Sequence, residues 1–65
     1  LRYLGIFDDG FDQDDETTWK IGGDSVSPNE NDMAVYGNKE FMYRKGEDGK
    51  FGWFEIGDED APVWN

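Results

Sequence analysis

Apolar and polar positions alternate most regularly in the second half of the chain. Met33 to Tyr36, Glu40 to Lys45 and Phe51 to Ile56 are strand-length runs rich in aromatic side chains. Gly37-Asn38-Lys39 and Gly46-Glu47-Asp48-Gly49-Lys50 separate them. Short connectors containing glycine are hairpin loops, so the pattern predicts an antiparallel meander. Alternation places Phe41 and Tyr43 on one face with Met42 on the other, and sets Phe51 and Trp53 opposite Phe54 and Ile56. Large apolar groups therefore stand on both faces. A lone meander covers neither, which calls for a second layer from the N-terminal strands or from another subunit.

The first half is less regular. Leu1 to Phe7 suits a short strand, and Thr17 to Ile21 a second one closed by Gly22-Gly23. Between them Asp8, Asp9, Asp12, Asp14, Asp15 and Glu16 crowd together, interrupted by Gly10 and Phe11. Such a block repels itself and predicts an exposed loop. Asp24 to Asp32 reads as a further loop, with Pro28 and paired Asn and Asp residues supplying turn chemistry. No window carries a 3.6-residue period, so no helix is expected. The expected fold is all-β: a small antiparallel β-meander with two additional short N-terminal strands, completed by oligomerisation. Residues 1–57 form a single small β domain, and residues 58–65 an extended tail or linker whose Val63-Trp64 pair needs somewhere to dock.

Composition changes this picture mainly by exclusion. The chain has 65 residues with no cysteine and no histidine. Disulfide staples, thiolate nucleophiles, Cys-type zinc sites and His-based catalytic arrangements are all out of reach. No enzyme activity and no cofactor are expected. A domain this small, without disulfide or zinc, usually gains its missing burial from oligomerisation or from the rest of a parent protein. The start at Leu1 fits a processed piece or a segment of a longer chain. The net charge of -10 argues against nucleic acid and anionic membranes as partners. No apolar run is long enough to span a bilayer.

Three chemistries merit weighing. The acidic block invites Ca²⁺, yet neither EF-hand register fits: from Asp8, position 6 is Gln13, and from Asp12 it is Thr17. A solvated loop is the simpler expectation, with an irregular cation site as the alternative. Trp19, Trp53 and Tyr43, with Asn38 and Glu55, could stack on and hydrogen-bond a sugar, although in so small a chain most aromatic rings belong to the core. A glycosidase needs two carboxylates facing across a cleft, which a chain this short with long loops hardly builds. Mimicry of nucleic acid fits the charge but not its distribution, because the acids gather in one loop and in turns.

The run from Asn31 to Glu59 resembles a short module that recurs in tail-fibre, head-fibre and related virion structural proteins of bacteriophages and prophages. The likeness lies in an order of features: the polar entry Asn31-Asp32, the apolar strand Met33 to Tyr36, the turn Gly37-Asn38 and the run Lys39-Glu40-Phe41-Met42-Tyr43. The turn Gly46 to Gly49, the strand Trp53 to Ile56 and the ending Gly57-Asp58-Glu59 complete it. Tyr3-Leu4-Gly5 also looks like the opening of such modules. The resemblance implies a structural or adhesive part of a virion, commonly a homotrimer, that assembles with copies of itself and with other phage structural proteins. Phe41, Tyr43, Phe51, Trp53 and Trp64 would then pack between subunits, with Lys39, Arg44, Lys45 and Lys50 placed to pair with a neighbour's carboxylates. A second possibility is the receptor-binding tip of a fibre, reading a host surface glycan through Trp19, Trp53 and Tyr43.

Overall fold

The computed structural model describes residues 2–58, with only the backbone of Asp58. The Val63-Trp64 pair and most of the expected tail lie outside the described residues. Six strands appear: β1 (Arg2–Ile6), β2 (Lys20–Ile21), β3 (Asp24–Ser25), β4 (Asp32–Tyr36), β5 (Lys39–Lys45) and β6 (Phe51–Asp58). β1, β4, β5 and β6 form a four-stranded sheet in that order, while β2 and β3 form a separate small hairpin. The all-β architecture and the antiparallel β4-β5-β6 meander agree with the hydrophobic pattern.

The turns follow from their residues. Tyr36 pairs with Lys39, leaving Gly37-Asn38 as a two-residue loop with Gly37 at φ 61°. That is the first loop position, where a II′ hairpin turn calls for glycine. Ile21 pairs with Asp24 around Gly22 and Gly23, both at positive φ, the requirement of a I′ turn. Thr17 and Thr18, expected in a strand, lie instead in a 3₁₀ turn over Glu16–Thr18. Asp15 caps it, its carboxylate accepting from the Thr17 N–H at 3.0 Å and the Thr17 hydroxyl at 2.7 Å. These local bonds lower the Asp15 carboxyl below the ordinary carboxylate pKa, the Thr17 hydroxyl contributing most. A capping acid outcompetes the weak β-propensity of two threonines.

β1 runs parallel to β4, a pairing that the local sequence pattern does not announce. Parallel neighbours need a long crossover, and here the segment from Phe7 to Asn31 supplies it. That crossover lies over one face of the sheet. It carries Phe7, Phe11, Trp19, Ile21 and Val26 against Ala34, Phe41, Tyr43 and Trp53, and so builds the core. Phe7 stacks on Phe11 at 3.9 Å between ring centroids and meets Trp53 edge-on at 5.2 Å. Phe11, which looked like an interruption in an exposed acidic block, is thus an anchor. It pins that loop to Phe41 and Tyr36.

Candidate functional site

The described residues cover one face of the sheet and leave the opposite face open. Cross-strand partners share a face, so Tyr3, Met33, Met42 and Phe54 stand together on the outer surface, as do Ile6, Val35 and Glu40. Tyr3 and Ile6 are each about 60% exposed, and Phe54 and Ile56 are also open to solvent. Arg44 lies 5.6 Å over the Phe54 ring, capping it with a cation–π contact. The described residues place no second layer on this face.

The residues expected at a subunit interface divide accordingly. Phe41 and Trp53 are buried at 5% and 2% exposure in the chain's own core, so neither packs between subunits. Of the two sources of a second layer that the sequence allowed, the N-terminal half and another subunit, it is the N-terminal half that covers this face. Tyr43 is half-buried, stacked at 5.6 Å on Phe51, and Phe51 remains exposed. Trp64 lies outside the described residues. The sugar platform also loses its surfaces, since Trp19 is 8% exposed and Trp53 less. Trp19 turns its Nε1–H inward to donate to the Asp12 carbonyl at 3.0 Å, and Tyr43 and Trp53 pack against its ring. Indoles this buried leave no open ring face for a pyranose to stack on.

The acidic loop is structured rather than loosely solvated. The Asp8 carboxylate accepts from the N–H groups of Gly22 and Gly23, each at 2.8 Å, and so holds the β2-β3 turn. Asp12 accepts from the Asp14 N–H at 2.9 Å. Among the described residues no group of three or more acids is arranged to hold a metal ion. A glycine pair whose turn leaves two N–H groups pointing outward was the available signal for an anion-like partner, but nothing local indicated which acid would provide it.

Two further polar groups stand out. Asp32, buried at the start of β4, receives two bonds from Arg2, Nε to Oδ1 at 3.2 Å and Nη2 to Oδ2 at 2.6 Å. The Asn29 N–H adds a third at 2.8 Å. The Arg2 guanidinium, more than its burial, sets Asp32 and holds its carboxyl below the usual range. Trp53 is the opposite case: its Nε1–H is buried and has no acceptor among the described residues. A buried donor without a partner is uncommon enough to mark a place for one.

Among the described residues β6 is an edge strand of the sheet, next to β5 alone. Gly46 donates to the Lys50 carbonyl at 2.8 Å, which makes that rung a bonded one. By alternation along the β5-β6 register, Phe51, Trp53 and Glu55 turn their backbone groups away from β5. Gln13 and Asp14 of the acidic loop share a groove with Phe51, Gly52 and Trp53 of this edge. Asp15 and Glu16 line its continuation beside Phe51 and Gly52. Comparison with protein-family models, with curated proteins and with solved structures returns no match to this chain.

Proposed function

We propose that this chain is a structural module of a bacteriophage virion, a fibre or attachment segment that works by assembling with copies of itself and with other virion proteins. The order of turns and aromatic strands from Asn31 to Glu59 supports this reading through its likeness to fibre modules. The observation that carries it is the outer face, where Tyr3, Ile6, Phe54 and their neighbours form an apolar surface on a sheet that the described residues cover on one side only. A chain with neither cysteine nor histidine and an aromatic core suits a scaffold better than a catalyst.

Self-assembly through the outer face places Tyr3, Met42 and Phe54 between subunits, in the role first expected of Phe41 and Trp53. Arg44 supplies a rim charge beside them, in line with interfaces that have apolar centres and polar margins. Sedimentation equilibrium of the chain at micromolar concentration tests the reading. A closed oligomer is expected, three-fold by the family likeness, and Phe54→Ser should return it to monomer with the sheet intact. A wild-type chain that stays monomeric at 0.1 mM or so, far above the dissociation constants of about 1 µM typical of even modest interfaces, overturns it.

A further inference from the structure

We infer that the β6 edge is a docking site for a basic extended segment of a partner protein, which adds to the sheet as a fifth strand beside Phe51 to Glu55 under the acidic loop. The surface differs from the outer face, and the inference rests on the reading of the chain as an assembly module.

Two observations converge on this edge. First, Phe51, Trp53 and Glu55 present N–H and C=O groups away from β5, and no loop among the described residues bonds to them. Strand addition to such an edge supplies main-chain hydrogen bonds regardless of sequence. The bulge at Ile56 shifts the register only beyond this run, so the run itself is regular. Second, Asp14, Asp15 and Glu16 line the groove along the same edge, with Lys50 as the basic residue beside them. Alternate side chains of an added strand project toward that loop, and lysine or arginine there meets clustered carboxylates. The indole of Trp53, a residue that lines this groove, is sealed in the core, so its N–H reports pairing at the Trp53 backbone rather than bonding the added strand.

Charge selects the occupant. A second copy of this chain pairing through β6 would bring its own Asp14, Asp15 and Glu16 toward the first set, a like-charge juxtaposition that disfavours self-pairing. A basic strand meets no such opposition. Its apolar alternate residues would emerge on the outer side of the sheet next to Phe54, extending that surface.

The probe is a capped heptapeptide of alternating lysine and valine, titrated into the ¹⁵N-labelled chain at low salt. Binding should slow hydrogen exchange at the Phe51, Trp53 and Glu55 amides and shift the Trp53 indole N–H resonance. The same peptide with N-methyl groups on one edge keeps its charge but cannot pair, and should bind about tenfold or more weakly. The triple variant Asp14→Asn, Asp15→Asn, Glu16→Gln, in which the new Asn side chain still accepts at the 3₁₀ cap, should lose roughly five-fold in affinity. Failure of the lysine–valine peptide to bind overturns the inference, as does equal binding of the N-methylated peptide, which would reduce it to charge attraction. Protection of the three amides by self-association without peptide overturns it in favour of a second copy. Because the sedimentation result depends on the outer face and this one on the β6 edge, either can fail alone.

Discussion

Arg2 and Asp32 face each other on the first rung of the parallel β1-β4 pair and are joined there by a two-pronged hydrogen-bonded ion pair across 30 positions of sequence. Parallel pairing is otherwise poorly specified here, because β1 is short and sits at the sheet edge. The pair fixes register as well as charge: a slip by one residue would carry Arg2 away from a buried carboxylate. The acid behaviour of the fold follows. Asp32 has its pKa lowered in the folded chain, with Arg2 the main cause. Its contribution is therefore complete above the unfolded-state pKa, near 4 for an ordinary aspartate, and is lost as pH falls through the depressed folded value. Asp32→Asn should cost about 2 kcal/mol at neutral pH, the scale of hydrogen bonds to a charged group. Thermal melts of both proteins from pH 7 to pH 2 check this: the gap in melting temperature should close on the acid side. A gap that stays constant with pH would mean that the carboxylate's charge is irrelevant.

Gly5 permits the same strand to pass the hairpin. It lies at φ 128° beside the register shift of β1, and a Cβ built there would stand 3.3 Å from Ile21 Cγ2. Backbone strain and a tight contact act together, so Gly5→Ala should destabilise the chain by about 2 kcal/mol. Urea unfolding at neutral pH measures it. Gly52→Ala serves as the comparison, because the Cβ of residue 52 would meet nothing within 4 Å and its φ is not left-handed. Equal costs at the two positions would remove the strain argument.

The meander was legible in the sequence because strand alternation and hairpin glycine are local signals, and β4, β5 and β6 begin or end within two residues of the expected runs. The need for a covering layer was legible, with the N-terminal strands as one of two sources, but the residues that close the inner face were not. Phe11 sits among six acids, and no window-based pattern distinguishes an aromatic residue stranded in a loop from one folded back onto Phe7 and Phe41. The roles of Trp53 and Phe41 went astray for the same reason. Their face looked open because the layer that closes it comes from a segment without periodicity. The outer face, by contrast, could be anticipated, since Met42 and Phe54 alternate away from the core by strand geometry alone.

Two tryptophans with opposite hydrogen-bond states allow a direct comparison. Trp19 donates to the Asp12 carbonyl and thereby ties the acidic loop to the core, whereas Trp53 has a buried donor with no partner. Trp→Phe removes similar volume at both sites. At position 19 it also removes a bond to the Asp12 carbonyl, which keeps only the Asp15 N–H and the Thr18 hydroxyl; at position 53 it removes an unsatisfied donor. Trp19→Phe should therefore be the more damaging by about 1 kcal/mol or more. Urea unfolding of the two variants decides it, and a larger loss for Trp53→Phe would show that its indole nitrogen is satisfied in solution.

Asp8 links the acidic loop to the β2-β3 hairpin, and its removal should act locally. Its two carboxylate oxygens receive the Gly22 and Gly23 N–H groups, while its own N–H donates to the Lys20 carbonyl at 2.8 Å. A two-residue hairpin of two-residue strands has almost no stability of its own. The turn is thus held from outside, by Asp8 on one flank and by the Val26 N–H donating to the Trp19 carbonyl at 2.9 Å on the other. Asp8→Ala deletes both carboxylate bonds and should cost about 1 to 3 kcal/mol. Asp8→Asn keeps one oxygen acceptor and should recover part of that. Hydrogen exchange separates this from a general loss of stability: Gly22 and Gly23 should exchange faster in Asp8→Ala under native conditions, while the amides of the β4-β5 ladder keep their rates. Uniform acceleration across both sheets would mean that the hairpin and the meander open as one unit, and that Asp8 stabilises the whole fold rather than its turn.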